Sequence, residues 1–377
     1  MIAPVTESDA SAPPIVVTGA GVVTAAARGR AEFTAVLARA GTQAWPPRLP
    51  SASTRIGAFD AGALPEAKSL RRASPHALFG LAAAVDAVAD AGRAVAPEDS
   101  ALLIASTLGA ANFSYRLWQE LVKSGPLGAS PVLFSEGVPN AIAGHAARLL
   151  QVLGPGHMLG GGSDCGLRGL AIARDLLECG RARRVVVGAT EEWSELAVRA
   201  GTRFGVLQRE AATRRAPRGL PMGEGAAMLC LERREGDEPE HAPALATLRA
   251  VESCQLSGLT GAAALDELVA LLERTFAAAR VRPSEVRLAS AANGTPADRL
   301  EAAALARLAA VGAGAPRDVS RRVRALCGEA FSVTPLLQVV EALAFVADGG
   351  PAAVLTLSPF GGATLAVFSP PPPSRTG

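Results

Sequence analysis

Apolar runs and amphipathic stretches alternate along the whole chain. Ile15-Val16-Val17-Thr18-Gly19-Ala20-Gly21 predicts a buried strand running into a glycine turn. Residues 31–39, with Phe33, Val36 and Leu37 on one face, predict a helix. Ser74-Pro75 gives a cap and a first-turn proline, so a helix starts there and stops before Gly92. Strands are expected at 101–106, 183–188 and 226–232, with a helix at 167–178. The charged segment 233–241 contains Gly236 and Pro239 and reads as a surface connection. Then the pattern restarts. Strands are expected at 245–251 and 286–291, helices at 264–279, 299–310 and 336–348. A closing hairpin joins 352–357 to 363–368 around Ser358-Pro359-Phe360-Gly361-Gly362. Two successive β/α units predict two similar halves in one layered α/β body, with the boundary near 235–243.

Composition narrows the class. Hydrophobic residues are 49% and charged residues 19%, which excludes a disordered chain. The formal net charge of +2 lacks the basic footprint of a nucleic-acid binder. With the restart, 377 residues read as one duplicated fold: a half at 15–240 and a half at 241–369. Residues 1–14 are expected to be a disordered N-terminus without a signal peptide, and 370–377 a Pro-rich tail. The helix near 78–91 is interrupted by Asp86 and Asp90, so no membrane span is expected. The five cysteines, Cys165, Cys179, Cys230, Cys254 and Cys327, are odd in number and form no CxxC pair. They argue against disulfides and a metal site and fit a reducing cytoplasm.

The glycine-rich segment 154–166 precedes a helix. A small polar side chain at a helix N-terminus is a natural nucleophile position, because backbone N–H groups stabilise negative charge there. Gly161-x-Ser163-x-Cys165 nearly spells a nucleophile elbow but lacks the last glycine. The plainer reading is a tight turn with Ser163 or Asp164 as helix cap. A phosphate loop is excluded, since no G-K-[ST] follows.

Several segments together resemble the β-ketoacyl-ACP synthases of the thiolase superfamily. They are the opening strand at 15–24, Pro139-Asn140-Ala141-Ile142-Ala143-Gly144-His145, Gly154-Pro155, Gly223-Glu224-Gly225-Ala226-Ala227, and Pro359-Phe360-Gly361-Gly362 in the final turn. They span about 15–368 in the family's order. The resemblance implies a thiolase fold with a five-layer α-β-α-β-α arrangement, and no cofactor. It also implies a catalytic Cys-His-His set, and here the chain departs. Gly154 and Gly166 both place Ser163 in the cysteine slot; Cys165 lies two residues later. Asn293, in Ala292-Asn293-Gly294-Thr295, and Glu329, after Gly328, hold the histidine places, and Arg324 replaces the family lysine.

Decarboxylative condensation needs a nucleophile to carry the acyl chain and donors to stabilise an enolate. An unassisted serine hydroxyl is a poor nucleophile. Asn293 donates a hydrogen bond but shuttles no proton, and a carboxylate at 329 opposes an enolate. All four histidines, His76, His145, His157 and His241, precede the bulk of the second half. The same losses mark the chain-length factors, the β subunits that pair with an active ketosynthase in type II polyketide and aryl polyene systems. That subgroup often carries glutamine where this chain has Ser163. The resemblance implies a catalytically deficient subunit in a heterodimer with an active ketosynthase, served by an acyl carrier protein with its phosphopantetheine-bound chain. The alternative is an independent acyltransferase or condensing enzyme using Ser163 or Cys165.

Other residues carry weaker expectations. The resemblance gives Phe360, with Gly361 and Gly362, a gating place. It sets Asn112, Phe113, Tyr115 and Trp118 on the helix that meets the partner, where bulky side chains would cap a tunnel; plain interface packing is equally open. His145 is expected near the dimer interface, in a structural role. Glu224 is expected to satisfy backbone groups in a buried turn. The basic run 209–218 reads as a solvated loop or a carrier-protein contact.

Overall fold

The computed structural model describes residues 13–40, 45, 47, 49–92, 94–208, 219–234, 244–310, 312 and 314–371. The basic run 209–218, the boundary at 235–243, most of the N-terminus and most of the tail lie outside the described residues.

The first half contains β1 (Ile15–Thr24), α1 (Arg30–Arg39), α2 (Pro75–Ala91), β2 (Ser100–Ser106), α3 (Ala111–Ser124), α4 (Pro131–Gly137), α5 (Ala141–Leu149), β3 (Gly156–Gly160), α6 (Cys165–Glu178), β4 (Arg184–Glu191), α7 (Glu195–Arg203) and β5 (Gly225–Arg233). The second contains β6 (Ala246–Gln255), α8 (Ala262–Ala279), β7 (Arg287–Ala289), α9 (Ala297–Ala310), β8 (Asp318–Ser320), α10 (Arg322–Cys327), α11 (Val333–Ala347), β9 (Ala352–Leu357) and β10 (Gly362–Ser369).

Strand order is β3-β2-β4-β5-β1-β6-β10-β9-β7-β8. Read outward from the β1–β6 contact, both halves repeat one plan. β5 and β10 lie antiparallel to their neighbours, and β2–β3 and β7–β8 are the parallel outer pairs. The halves join through Val16 opposite Thr247 and Val17 opposite Ala246.

Alternating side chains make the layers. Ala101, Leu103 and Ala105 of β2 join a central cluster with Leu167 and Leu170 of α6 and Leu336 and Val340 of α11. Leu102 and Ile104 of the same strand face the opposite way, with Phe79 and Leu81 of α2. In the second half Ala352 and Val354 join the central cluster, while Ala353 and Leu355 pack with Leu268 and Leu272 of α8. The result is the expected five-layer body, with α6 and α11 as its middle layer.

Most predicted elements fall within a few residues of the observed ones. β1 does not end in a glycine turn; it continues to Thr24. Its glycines serve close packing instead. A Cβ at Gly21 would lie 1.9 Å from the Ala83 carbonyl oxygen, so the alanine-rich α2 sits directly on the strand. Ser74 caps α2 by accepting from the Ala77 N–H at 3.2 Å. Asp86 and Asp90, the polar interruptions of that helix, pair with Arg28 and Arg30. Among the described residues no helix is long and apolar enough to cross a membrane.

Candidate functional site

The two middle-layer helices begin side by side. A Cβ on Gly166, in the first turn of α6, would lie 2.1 Å from the carbonyl oxygen of Ser332, just before α11. This contact brings the turn holding Ser163 against the segment holding Glu329.

Ser163 is buried, and no described residue hydrogen-bonds its hydroxyl. The expected cap is absent: Asp164 is the capping residue by position, but its side chain makes no capping bond. Its carboxylate lies instead against the closing hairpin. A Cβ at Gly362 would come within 2.5 Å of Asp164 Oδ1, so glycine there leaves the carboxylate its space. Burial pushes the Asp164 carboxyl up, with Arg168 opposing.

Cys165 is also buried, and its thiol is pushed up to about 12, first by burial and then by the charges of Glu191 and Asp164. A thiol held so high supplies almost no thiolate near neutrality. Exposed Cys179 provides an internal control. At pH 8 in native protein, maleimide should label Cys179 first, with Cys165 slower by at least roughly 100-fold. Mass spectrometry of tryptic peptides reads the ratio.

Asn293 and Glu329 meet. Asn293 Nδ2 donates to Glu329 Oε2 at 3.5 Å, and Arg324 Nε donates to the same oxygen at 3.3 Å. Glu329 Oε1 accepts from the Phe331 N–H at 3.0 Å and from Thr334 Oγ1 at 3.1 Å. Phe331 holds a left-handed backbone, φ 46°, between these anchors. No hydrogen bond joins Ser163 to either Asn293 or Glu329 among the described residues.

Phe360 is 76% exposed, and only its backbone is fixed, its carbonyl accepting from Gln255 Nε2 at 2.7 Å. α3 has no buried residue; Tyr115 and Trp118 stand out at 46% and 65% exposed. Phe113 is partly buried on the same helix. Asn112 is tied down, its Nδ2 donating to the Trp193 carbonyl at 2.8 Å. His145 Nε2 lies 3.1 Å from Glu136. Glu224 accepts from the N–H groups of Ile56 at 2.6 Å and Trp193 at 2.7 Å, the backbone role expected of it.

Two important residues escape the sequence reading. Glu191 ends β4 and Glu192 follows it; their signal is a pair of acids at the end of an apolar strand. Glu191 accepts from Ser332 Oγ at 2.5 Å, Ser106 Oγ at 3.1 Å, Leu108 N–H at 3.1 Å and Thr107 N–H. His76 Nε2 lies 3.2 Å from the same Ser106 hydroxyl. Glu192 accepts from the Asn112 N–H at 2.8 Å. Burial pushes both glutamates up to about 7 and lowers His76 to about 4. This pair anchors the root of α3 to the start of α11.

A doubled β/α body with a polar site where its two central helices begin defines a thiolase-fold protein. Residues 12–236, more than half of the chain, match the family model for the β-ketoacyl synthase N-terminal domain. The chain belongs to the β-ketoacyl synthase family. It is 27% identical over 203 residues to 3-oxoacyl-[acyl-carrier-protein] synthase 2 of Vibrio cholerae, covering 50% of this chain and 47% of that protein. It is 29% identical over 211 residues to the Rhizobium meliloti protein of the same name, covering 52% and 49%. The chain thus spans about half the length of the curated relatives it matches. Among solved structures, the ishigamide ketosynthase/chain length factor superposes with a TM-score of 0.76 at 26% identity, over 94% of this chain and 99% of that one. A β-ketoacyl synthase from Burkholderia phymatum gives 0.78 at 17% identity, over 96% and 100%. A type II polyketide acyl-carrier protein in complex with its ketosynthase gives 0.77 at 15%, over 96% and 100%. The last two show the fold alone.

Proposed function

We propose that this chain is a catalytically deficient ketosynthase-like subunit. It pairs with an active ketosynthase in type II polyketide, polyene or fatty-acid-like synthesis and shapes the tunnel that holds the growing chain. One observation carries the reading: Ser163, Asn293 and Glu329 stand where the family's chemistry needs a cysteine and two histidines. The geometry supports it. Among the described residues no base hydrogen-bonds the Ser163 hydroxyl, the Cys165 thiol is pushed up to about 12, and Glu329 is tied to Arg324. The likeness to a ketosynthase/chain length factor over 94% of the chain points the same way.

The surface supports a partner. Among the described residues β3 is a sheet edge, paired only with β2 and mostly exposed. It is five residues of Gly-His-Met-Leu-Gly with no Lys, Pro or acid to blunt it. The opposite edge, β8, is only three residues and carries Asp318. Exposed Trp118, Tyr115, Val122 and Phe134 lie on α3 and α4, elements that pack on each other in the same half. In this reading Asn112, Phe113, Tyr115, Trp118 and His145 belong to the seam and tunnel, and Phe360 to the pocket mouth. An acyl carrier protein delivers the phosphopantetheine-bound chain in the cytoplasm, where the free cysteines stay reduced.

Co-expression with a ketosynthase of the same genome that keeps Cys and both His tests this. The expected result is a one-to-one complex that condenses acyl chains, with Ser163→Ala leaving the rate within about twofold. A chain that purifies alone and becomes acylated on Ser163 overturns the reading.

A further inference from the structure

The donors around Glu329 form a built receptor for one carboxylate. A guanidinium, a side-chain amide, a hydroxyl and a backbone N–H converge on its two oxygens at 3.0–3.5 Å. All four donors are buried; Arg324 is 1% exposed. The three side-chain donors are also braced by contacts that do not involve Glu329. Arg324 donates through Nη1 to the Ser290 carbonyl at 2.6 Å and to Gln338 Oε1 at 3.3 Å. Gln338 Nε2 donates to the same carbonyl at 2.7 Å. Asn293 Oδ1 accepts from Thr295 Oγ1 at 2.6 Å, and its N–H donates to Asp298 at 2.8 Å. Thr334 Oγ1 accepts from the Ala330 N–H at 2.8 Å, which leaves its proton free for Glu329.

A second carboxylate, Glu301, also feels the Arg324 charge. It is already engaged by Ser290 Oγ at 2.8 Å and the Ala291 N–H at 3.1 Å, and Arg324 makes no hydrogen bond to it. Arginine does not deprotonate in proteins, so the buried guanidinium needs an anion at this spot whatever supplies it. Glu329 comes from the same chain, five residues after Arg324, so its effective concentration exceeds that of any free acid.

We propose that Arg324, Asn293, Thr334 and the Phe331 N–H form a carboxylate-binding cradle that the chain closes with its own Glu329, shutting out carboxylated acyl substrates. The cradle stands on these contacts; its consequence, a site sealed against a malonyl-type extender, rests on the proposed deficient subunit. It makes the deficiency active: beyond lacking nucleophile and base, the site is filled.

The test is chemical rescue in the full chain, alone or in its complex. Glu329→Ala should lower the thermal midpoint by about 5 °C or more, since it strands a buried charge. Sodium formate or acetate at 100 mM should restore at least half of that loss, against sodium chloride at equal ionic strength and acetamide as the neutral shape. Wild type, and Glu329→Ala combined with Arg324→Ala, should show no formate-specific shift. Equal midpoints in formate and chloride for Glu329→Ala, or an equal formate shift in wild type, overturn the cradle. If Glu329→Ala does not accumulate folded, refolding yield in formate against chloride is the readout, and equal yields overturn it. Because the readout is stability, failure of the cradle stays distinct from failure of the partner reading, which co-expression decides.

Discussion

Gly166→Ala abolishes or severely weakens folding. Helix propensity alone would favour the change by about 1 kcal/mol. The new Cβ, however, would sit 2.1 Å from the Ser332 carbonyl oxygen and 3.1 Å from its carbonyl carbon. Those are backbone atoms, so no side-chain rotation relieves the clash. The start of α6 must move off α11, and the movement strikes the Ser332–Glu191 hydrogen bond and the turn carrying Ser163. Overpacking in a core costs about 1–3 kcal/mol, and disruption of the buried network adds to it. Gly144→Ala is the matched control. It lies exposed on α5 with nothing within 4 Å of its virtual Cβ, so it should stabilise by about 0.5–1 kcal/mol. Urea unfolding of the two variants beside wild type checks both signs. A Gly166→Ala protein as stable as wild type would show that the middle layer yields easily.

Stability should fall, not rise, as pH climbs from about 5 to 7. Glu191, Glu192 and Glu341 are pushed from 4.5 up to about 7, burial being the first cause for each. Between those values the folded chain keeps protons that the unfolded chain has released. The unfolded state therefore binds fewer protons, and unfolding free energy drops as pH rises through the window. Above pH 7 both states are ionised and the penalty is complete. His76 works in the opposite direction. Burial lowers it from 6.5 to about 4, so it favours folding as pH rises between those values. Buried Asp164, Glu224 and Glu301 are raised too, so the carboxyls outweigh the one histidine and the urea midpoint should be higher at pH 5.5 than at pH 8. Glu341→Gln should flatten part of the slope, since Glu341 bonds Ser320 Oγ and leaves Oε2 without a partner among the described residues. A midpoint that rises steadily to pH 8 in wild type would contradict the buried-acid account.

The layered body was legible because its signals are local. Ser74, Pro75 and Gly92 mark both ends of α2, and the restart of apolar strands after the charged connection announces the second half. β3 was hidden because its glycine ends read as a turn. β1 was cut short because two glycines look like a stop until the helix lying on them is seen. In the site, motif spacing put Ser163, Asn293 and Glu329 in register, and the fold confirms that the last two touch. Spacing gave no hint of a closed receptor at Glu329, because Asn293 comes from 36 residues away and the nearer donors, Arg324, Phe331 and Thr334, follow no periodic pattern. Glu191 was missed for the same reason: its partners Ser106 and Ser332 lie 85 and 141 residues away. Long-range polar satisfaction leaves no period in a sequence.

The unblunted β3 edge also has a cellular consequence. A strand with free N–H and C=O groups and no gatekeeping charge will template pairing with whatever strand it meets first. If the proposed pairing holds, a copy left uncovered at this edge is open to strand addition by other chains. Under the pairing proposed above, co-expression with the ketosynthase should raise the soluble yield over expression alone, through cover of this edge rather than through chemistry.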